Sequence, residues 1–566
     1  CIDALKYSKN NTIKTVSYKK YFSICQKVAN SLRYLGMKKG DKIGIIGYNS
    51  PEWFYAHIGA MMIGCIPVGI YTTNTSTICD FIGKETNIKL LIAENVELYK
   101  KFEGYIQDQN NFKLTIIYND KNIKDYNKMT SWNKFLKLAL EDDYVNIECN
   151  PKDIATLIYT SGTTGNPKGV VITHENIMSC LKYSIDFFLK GDEINKDAIL
   201  EMGKEKIISY LPLNHIAAQM VDIYLSIAIC SCVYICNMKQ EQIPEVIKRE
   251  EPTIFLGVPR IWEKIDEGID KKLKNMSNIE LYMFNFCKNI PYLNKILLNK
   301  MGLGKCKLLY TAAAPLNKNT RKSLENKGIY LYDIYGMSET TGPMTISLPK
   351  VNKEGSVGKI IPNIEIKISE EEQNKGEIMV KGKTVSSNYY NMKERKDEWM
   401  GTGDLGYIDK DGFLFLKGRS KDIIITSGGE NVSPIPIEET IKTQLPIINY
   451  VVVIGDDKKF ITALIVLKTY EDSDKLTNDV VQFLTNNGSN SKTLQEAAND
   501  KVVMNIIQKG IDRANEIAVS RVGKVKKFKL LENNFSIENG DLTPTLKIKR
   551  SNIVKKQEEI INEMYK

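Results

Sequence analysis

Short, apolar, β-branched runs alternate with helical stretches through most of this chain. Residues 42–48 (KIGIIGY), 89–93, 114–118, 207–211, 253–258 and 307–310 read as strands. Helical periodicity lies between them, as at 18–35 and 52–63. Parallel strands need a long crossover, normally a helix, so this alternation predicts an α/β fold. Its sheets should be stacked, mixed and largely parallel. After about residue 350 the strand-like segments become shorter and closer: 365–368, 377–381, 406–408 and 413–416. Beyond Gly418 the texture changes again, with helices expected at 437–445 and 502–519 and strands at 450–454 and 461–466. The expected organisation is a large unit over 1–418, with a β-rich subdomain at about 350–418. A small mobile α+β domain over 419–566 follows it.

Composition narrows the class. The chain has 566 residues, 43% hydrophobic and 26% charged, so it builds a large core without a disulfide or metal staple. The net charge of +10 is mild, but residues 501–566 hold 14 Lys/Arg against 8 Asp/Glu. A basic end suits an anionic ligand, a membrane surface or plain solvation. Aromatic residues are not interleaved with it, so nucleic acid is not an expected partner. Eleven cysteines spread from Cys1 to Cys306 without a framework spacing, which predicts a reducing, intracellular compartment. With only His57, His174 and His215, histidine-rich zinc chemistry is excluded. The apolar stretch 221–236 contains Asp222, Ser226 and Ser231 and is too short to span a bilayer; a buried helix running into a strand is expected. The first residue is Cys, so the chain reads as a fragment whose upstream targeting segments would be invisible.

The most informative run is YTSGTTGNPKG at 159–169, set between the strand-like 155–159 and 170–173. Glycines let backbone N–H groups wrap an anion, hydroxyls donate further hydrogen bonds, and a lysine neutralises charge. This is phosphate-binding chemistry. It is not a Walker A loop, because Pro167 precedes Lys168 and Gly169 follows it.

The run resembles the phosphate loop of the adenylate-forming superfamily, which holds acyl-CoA synthetases, luciferases and peptide-synthetase adenylation domains. Further motifs follow in that family's order: LPLNHIAAQ at 211–219, TAAAPL at 311–316, YGMSETTG at 335–342 and TGD at 402–404. GRSKDIIITSGGEN at 418–431 and LTPTLKIKR at 542–550 complete the series. Within the superfamily, EPTIFLGVPRIWEKI at 251–265 and GGENVSPIPIEE at 428–439 are similar to the bubblegum-type long- and very-long-chain acyl-CoA synthetases.

The resemblance implies a two-step reaction. A fatty-acid carboxylate attacks the α-phosphate of ATP and pyrophosphate leaves; CoA then displaces AMP. Such a reaction needs positioning, cations and Mg²⁺ rather than a histidine nucleophile. By resemblance, Ser161, Gly162, Thr163, Thr164, Gly165 and Lys168 hold the β- and γ-phosphates, and Thr160 and Glu339 serve the metal. Ser338 binds a phosphate oxygen beside Gly336. Tyr335 stacks on adenine against a wall of Ala312, Ala313 and Ala314, and Asp333 is a candidate for the adenine amino group. Asp404 and Arg419 grip the ribose. His215 orients the acyl carboxylate. Lys547 is the catalytic cation of adenylation, Lys421 the hinge of a domain rotation, and Gly428, Gly429, Glu430 and Asn431 border the CoA channel.

Rival expectations are an adenylating enzyme that loads a carrier protein, a medium-chain or aryl-CoA ligase, and a catalytically silent nucleotide or acyl sensor. Peripheral association with the cytosolic face of the ER or another membrane is a further expectation. Chain length and oligomeric state are not read from these motifs.

Overall fold

The structure, a computed structural model, describes residues 2–566 except 121–127, 139–146, 161–165, 191–198, 237–241, 289, 363, 370–375, 428–429, 471–472, 519–520 and 544–546. Two large sheets dominate the described residues. A seven-stranded sheet runs in the order Met129–Ser131, Leu114–Ile117, Ile88–Ala93, Lys42–Ile46, Ile66–Ile70, Ile154–Thr160, Lys168–Thr173. Its strands are parallel except for the final pair, an antiparallel hairpin. A nine-stranded sheet is parallel from Tyr332–Gly336 through Leu308–Thr311, Ile254–Gly257, Lys206–Ser209 and Cys232–Ile235 to Asp3–Lys9. Antiparallel strands close both of its edges.

The alternation in the sequence maps onto crossovers. Tyr18–Tyr34 is capped by Ser17, whose hydroxyl accepts from the Lys20 N–H, and it buries Tyr21, Cys25, Val28 and Leu32. Pro51–Met61 starts with proline in its first turn behind a Ser50 cap, as a helix start prefers. Lys42–Ile46 and Ile66–Ile70 are buried almost throughout, as strands covered on both faces must be. The main core joins residues from both large sheets, among them Ile43, Ile158, Ile207 and Leu308.

Ile364–Ile368, Gly376–Gly382, Met400–Ile408 and Leu414–Arg419 form a four-stranded antiparallel sheet. Ile448–Ile454, Ile461–Leu467 and Val525–Leu530 form a three-stranded sheet with its own core, packed by Pro434–Gln444 and Lys501–Glu516. The two units touch: Asn317 Nδ2 donates to Glu439 Oε2 at 3.0 Å, Asn319 Nδ2 to the Thr443 carbonyl at 2.9 Å, and Lys468 pairs with Glu267 at 3.0 Å.

The stretch 221–236 departs from an ordinary helix. Gln219–Leu225 is a π-helix, followed by the short helix Ser226–Ala228 and the strand Cys232–Ile235. No helix of the described residues is long and apolar enough to cross a membrane.

Candidate active site

The phosphate-loop sequence spans a hairpin. Thr160 and Lys168 are register partners at the ends of its two strands, and the Thr160 hydroxyl donates to the Lys168 carbonyl at 3.4 Å. Ser161, Gly162, Thr163, Thr164 and Gly165 lie outside the described residues. The Lys168 ammonium sits over the Tyr389 ring, 5.2 Å from its centroid. The Tyr389 hydroxyl donates to Glu339 Oε1 at 2.8 Å. Burial first, and then the Glu339 charge, push the Tyr389 phenol upward, so it stays a donor. Tyr389 thus ties the lysine of one motif to the carboxylate of another. Nothing in its local sequence marks it, because its partners lie 221 and 50 residues away.

Glu339 is presented by a sharp turn. The strand Tyr332–Gly336 ends in a register shift at Tyr335/Gly336 and passes into the 3-10 turn Ser338–Thr340. Such irregularities re-aim side chains at strand ends. Gly336 is required there, since a Cβ would stand 2.2 Å from the Gly342 carbonyl oxygen. Ser338 is buried, and the Glu339 carbonyl accepts from the Ser386 N–H at 2.7 Å. One oxygen of the Glu339 carboxylate meets Tyr389, and Glu339 and Thr160 both offer hard oxygen donors. That oxygen-only set fits Mg²⁺.

The Tyr335 hydroxyl donates to Asp404 Oδ2 at 2.7 Å, while Arg419 Nε meets Asp404 Oδ1 at 3.0 Å. Asp404 and Arg419 face one another across antiparallel strands, which fixes their pairing. Burial, then Asp404, raise the Tyr335 phenol. Asp333 is clasped by Arg321 Nη2 at 2.7 and 2.8 Å, and burial lifts its carboxyl to about 6 against that pull. Arg321 carries no motif signal. Ala313 has φ +74°, a left-handed conformation that costs an L-residue about 1–2 kcal/mol, so the Ala312–Ala314 segment is held under strain.

His215 caps the short helix Ile216–Ala218, its Nδ1 accepting from the Ala217 N–H at 3.2 Å. Burial, then the charge of Lys547, lower its pKa to about 4. The ring is therefore neutral near pH 7, with its proton on Nε2. Behind it lies a small cavity lined by Ile207, Tyr210, Ala217, Val221, Asp222 and Leu256. Burial lifts the Asp222 carboxyl to about 8, against a hydrogen bond from Ser209.

Lys547 arrives from the C-terminal unit, its backbone paired with Thr543. The Thr543 N–H donates to the Lys547 carbonyl at 2.7 Å, and the Lys547 N–H donates to the Thr543 hydroxyl at 3.0 Å. Lys547 is exposed as a residue, but desolvation of its ammonium end, then Arg419, lower the group to about 8, against the raising pull of Asp404. Lys547 therefore shares its field with Arg419, Asp404 and His215. Its neighbour Arg550 points elsewhere, into an ion pair with Glu438 at 2.6 Å and the Val453 carbonyl at 2.7 Å.

Lys421 is exposed in the 3-10 turn Ser420–Asp422, just after Gly418, whose φ is +142°. Gly428 and Gly429 lie outside the described residues, while Glu430 and Asn431 stand exposed on a small hairpin. The hydrogen bonds of Glu430 there run to Thr426, within the C-terminal unit.

Residues 3–390 match the family model for the AMP-binding enzymes and 421–530 that of the AMP-binding enzyme C-terminal domain. Long-chain-fatty-acid–CoA ligase ACSBG2 of Xenopus laevis is 34% identical, over 99% of this chain and 81% of that protein. Its ACSBG1 counterpart from Rattus norvegicus is 32% identical, over 100% and 83%. Among solved structures, the A domain of carboxylic acid reductase from Segniliparus rugosus, in complex with AMP and a co-purified carboxylic acid, superposes with a TM-score of 0.76 at 18% identity, covering 100% of this chain and 92% of that one. O-succinylbenzoate CoA synthetase from Bacillus subtilis, in complex with ATP and magnesium, gives 0.67 at 22%, covering 97% and 96%. The solved structures share the fold, the ligases are similar over almost all of this chain, and the chain belongs to the adenylate-forming superfamily of AMP-binding enzymes, with bubblegum-type ligases among its relatives.

Proposed function

We propose that the protein is an ATP-dependent, AMP-forming long-chain fatty acid:CoA ligase. The observation that carries this reading is that Lys547, a residue of the C-terminal unit, stands close enough to Arg419, Asp404 and His215 for their charges to act on one another, beside the Tyr335–Asp404–Arg419 cluster. A cation between a nucleotide grip and an acyl-carboxylate site is what adenylation requires. Likeness over 99–100% of this chain to proteins named long-chain-fatty-acid–CoA ligases supports the substrate class.

Two anions must meet in the first half-reaction. The neutral His215 ring donates from Nε2 and orients the incoming carboxylate without adding charge. Asp404, held by Tyr335 and Arg419, keeps oxygen lone pairs for the ribose hydroxyls. Lys168 neutralises the departing pyrophosphate, steadied on the Tyr389 face. Lys547 stabilises charge developing between carboxylate and α-phosphate. Thr160 and Glu339 are the residues that would hold Mg²⁺, which when bound offsets phosphate charge. For the second half-reaction Lys547 must withdraw, and rotation about Lys421 brings residues 428–431 towards the thiol path.

The test is AMP release by purified protein given ATP, Mg²⁺ and fatty acids of increasing length, with and without CoA. The reading predicts CoA-stimulated release that peaks at long chains. Acyl-adenylate formation indifferent to CoA would point instead to carrier loading, and no turnover with any acid to a silent relative.

A further inference from the structure

The helix Asn278–Cys287 carries an apolar stripe that the fold leaves uncovered. Ile279, Tyr282, Met283 and Phe286 fall at i, i+3, i+4 and i+7, the spacing that normally faces a core. Here they are 78%, 74%, 54% and 55% exposed. Ile296 on the following helix, Pro291–Lys300, and Met276 before the first are exposed as well. From 271 to 300 the chain has six lysines (271, 272, 274, 288, 295 and 300) and one acidic residue, Glu280. Lys271, Lys272, Lys274, Lys295 and Lys300 are all exposed.

An exposed apolar stripe of this kind marks an interaction surface rather than ordinary scatter. The lysines on both sides of it select an anionic partner. An apolar helix face between flanking cations, with a tyrosine in the stripe, matches the boundary between lipid headgroups and acyl chains. We propose that this helical pair is a peripheral docking surface for an anionic lipid bilayer. Ile279, Tyr282, Met283 and Phe286 enter the interface, and the lysines lie against the headgroups. The helix is far too short to span, so the contact is interfacial. The proposal rests on the fatty-acid reading above, since a long-chain fatty acid partitions into membranes and a docked ligase would meet it there.

The experiment is co-sedimentation of the full chain with phosphatidylcholine vesicles with and without phosphatidylserine. It reads the protein's own partitioning, so it stands or falls separately from any ligase assay. The wild type should sediment with the mixed vesicles and much less with phosphatidylcholine alone. Ile279→Glu with Phe286→Glu should lower partitioning at least about tenfold. Lys271→Glu with Lys272→Glu should lower it on the anionic vesicles only, by about fivefold or more per charge. Unchanged melting temperature and circular dichroism establish that the variants fold, and Ile279→Ser with Phe286→Ser provides a milder second pair. The proposal is overturned if the wild type ignores anionic vesicles or if the apolar variants sediment as it does. It is equally overturned if light scattering shows that the stripe instead holds two copies of the chain together.

Discussion

In the proposed reaction Lys547 serves as a cation, and a pKa lowered to about 8 limits when it is one. Adenylation should therefore fall as pH rises through about 8. Unfolding does not explain such a loss through this group. Its folded pKa lies below the unfolded value of about 10.5, so between the two the unfolded chain binds more protons and its contribution to stability rises with pH. Arginine is not deprotonated in this range. In Lys547→Arg the alkaline limb should move upward by at least one pH unit, even if the maximal rate is reduced; an unmoved limb would assign the titration to another group. Lys547 is proposed from the sequence because TPTLKIKR is a long motif. Tyr389 and Arg321 carry no such motif: Tyr389 meets Lys168 and Glu339, 221 and 50 residues away, and Arg321 meets Asp333 only once the helix Lys318–Asn326 folds back beside the next strand.

At the scale of the element, the site depends on how strands end. Gly336→Ala puts a methyl against a backbone carbonyl that cannot swing aside. The expected cost is about 1–3 kcal/mol of stability, with Glu339 displaced from Tyr389. Thermal denaturation together with the dependence of rate on Mg²⁺ concentration checks this, and a variant with both unchanged would show that the turn tolerates a side chain. Most strands and helices were readable from periodicity, because buried parallel strands are continuous apolar runs and their helices are amphipathic. The π-helix Gln219–Leu225 was not, since its apolar composition matches any buried helix. The helix Asn278–Cys287 misleads in the opposite sense: its pattern promises a core that the fold does not provide.

At the scale of the molecule, Lys547 reaches the nucleotide end only while the C-terminal unit is docked as observed. Asn317–Glu439 and Lys468–Glu267 hold that docking. Polar pairs at or near the surface are worth roughly 0.2–1 kcal/mol each, a strength suited to the breakable contact that the proposed domain rotation needs. Lys468→Ala with Glu439→Gln should slow acyl-adenylate formation by about threefold to tenfold while leaving thioester formation from supplied acyl-adenylate unchanged or faster. Rapid-quench measurement of the two half-reactions distinguishes this from general damage, which slows both. A change of texture near residue 420 is what the sequence offers for dividing the chain; the contacts between the two units were not legible, because they are single side chains scattered over several elements.

The account turns on one cation that serves one half-reaction. The most direct measurement is therefore the Lys547→Ala variant, assayed separately for acyl-adenylate formation from ATP and fatty acid and for CoA acylation from supplied acyl-adenylate. Adenylation should fall by about 100- to 1,000-fold with acylation close to wild type. Equal loss in both steps, or adenylation that survives, would contradict it.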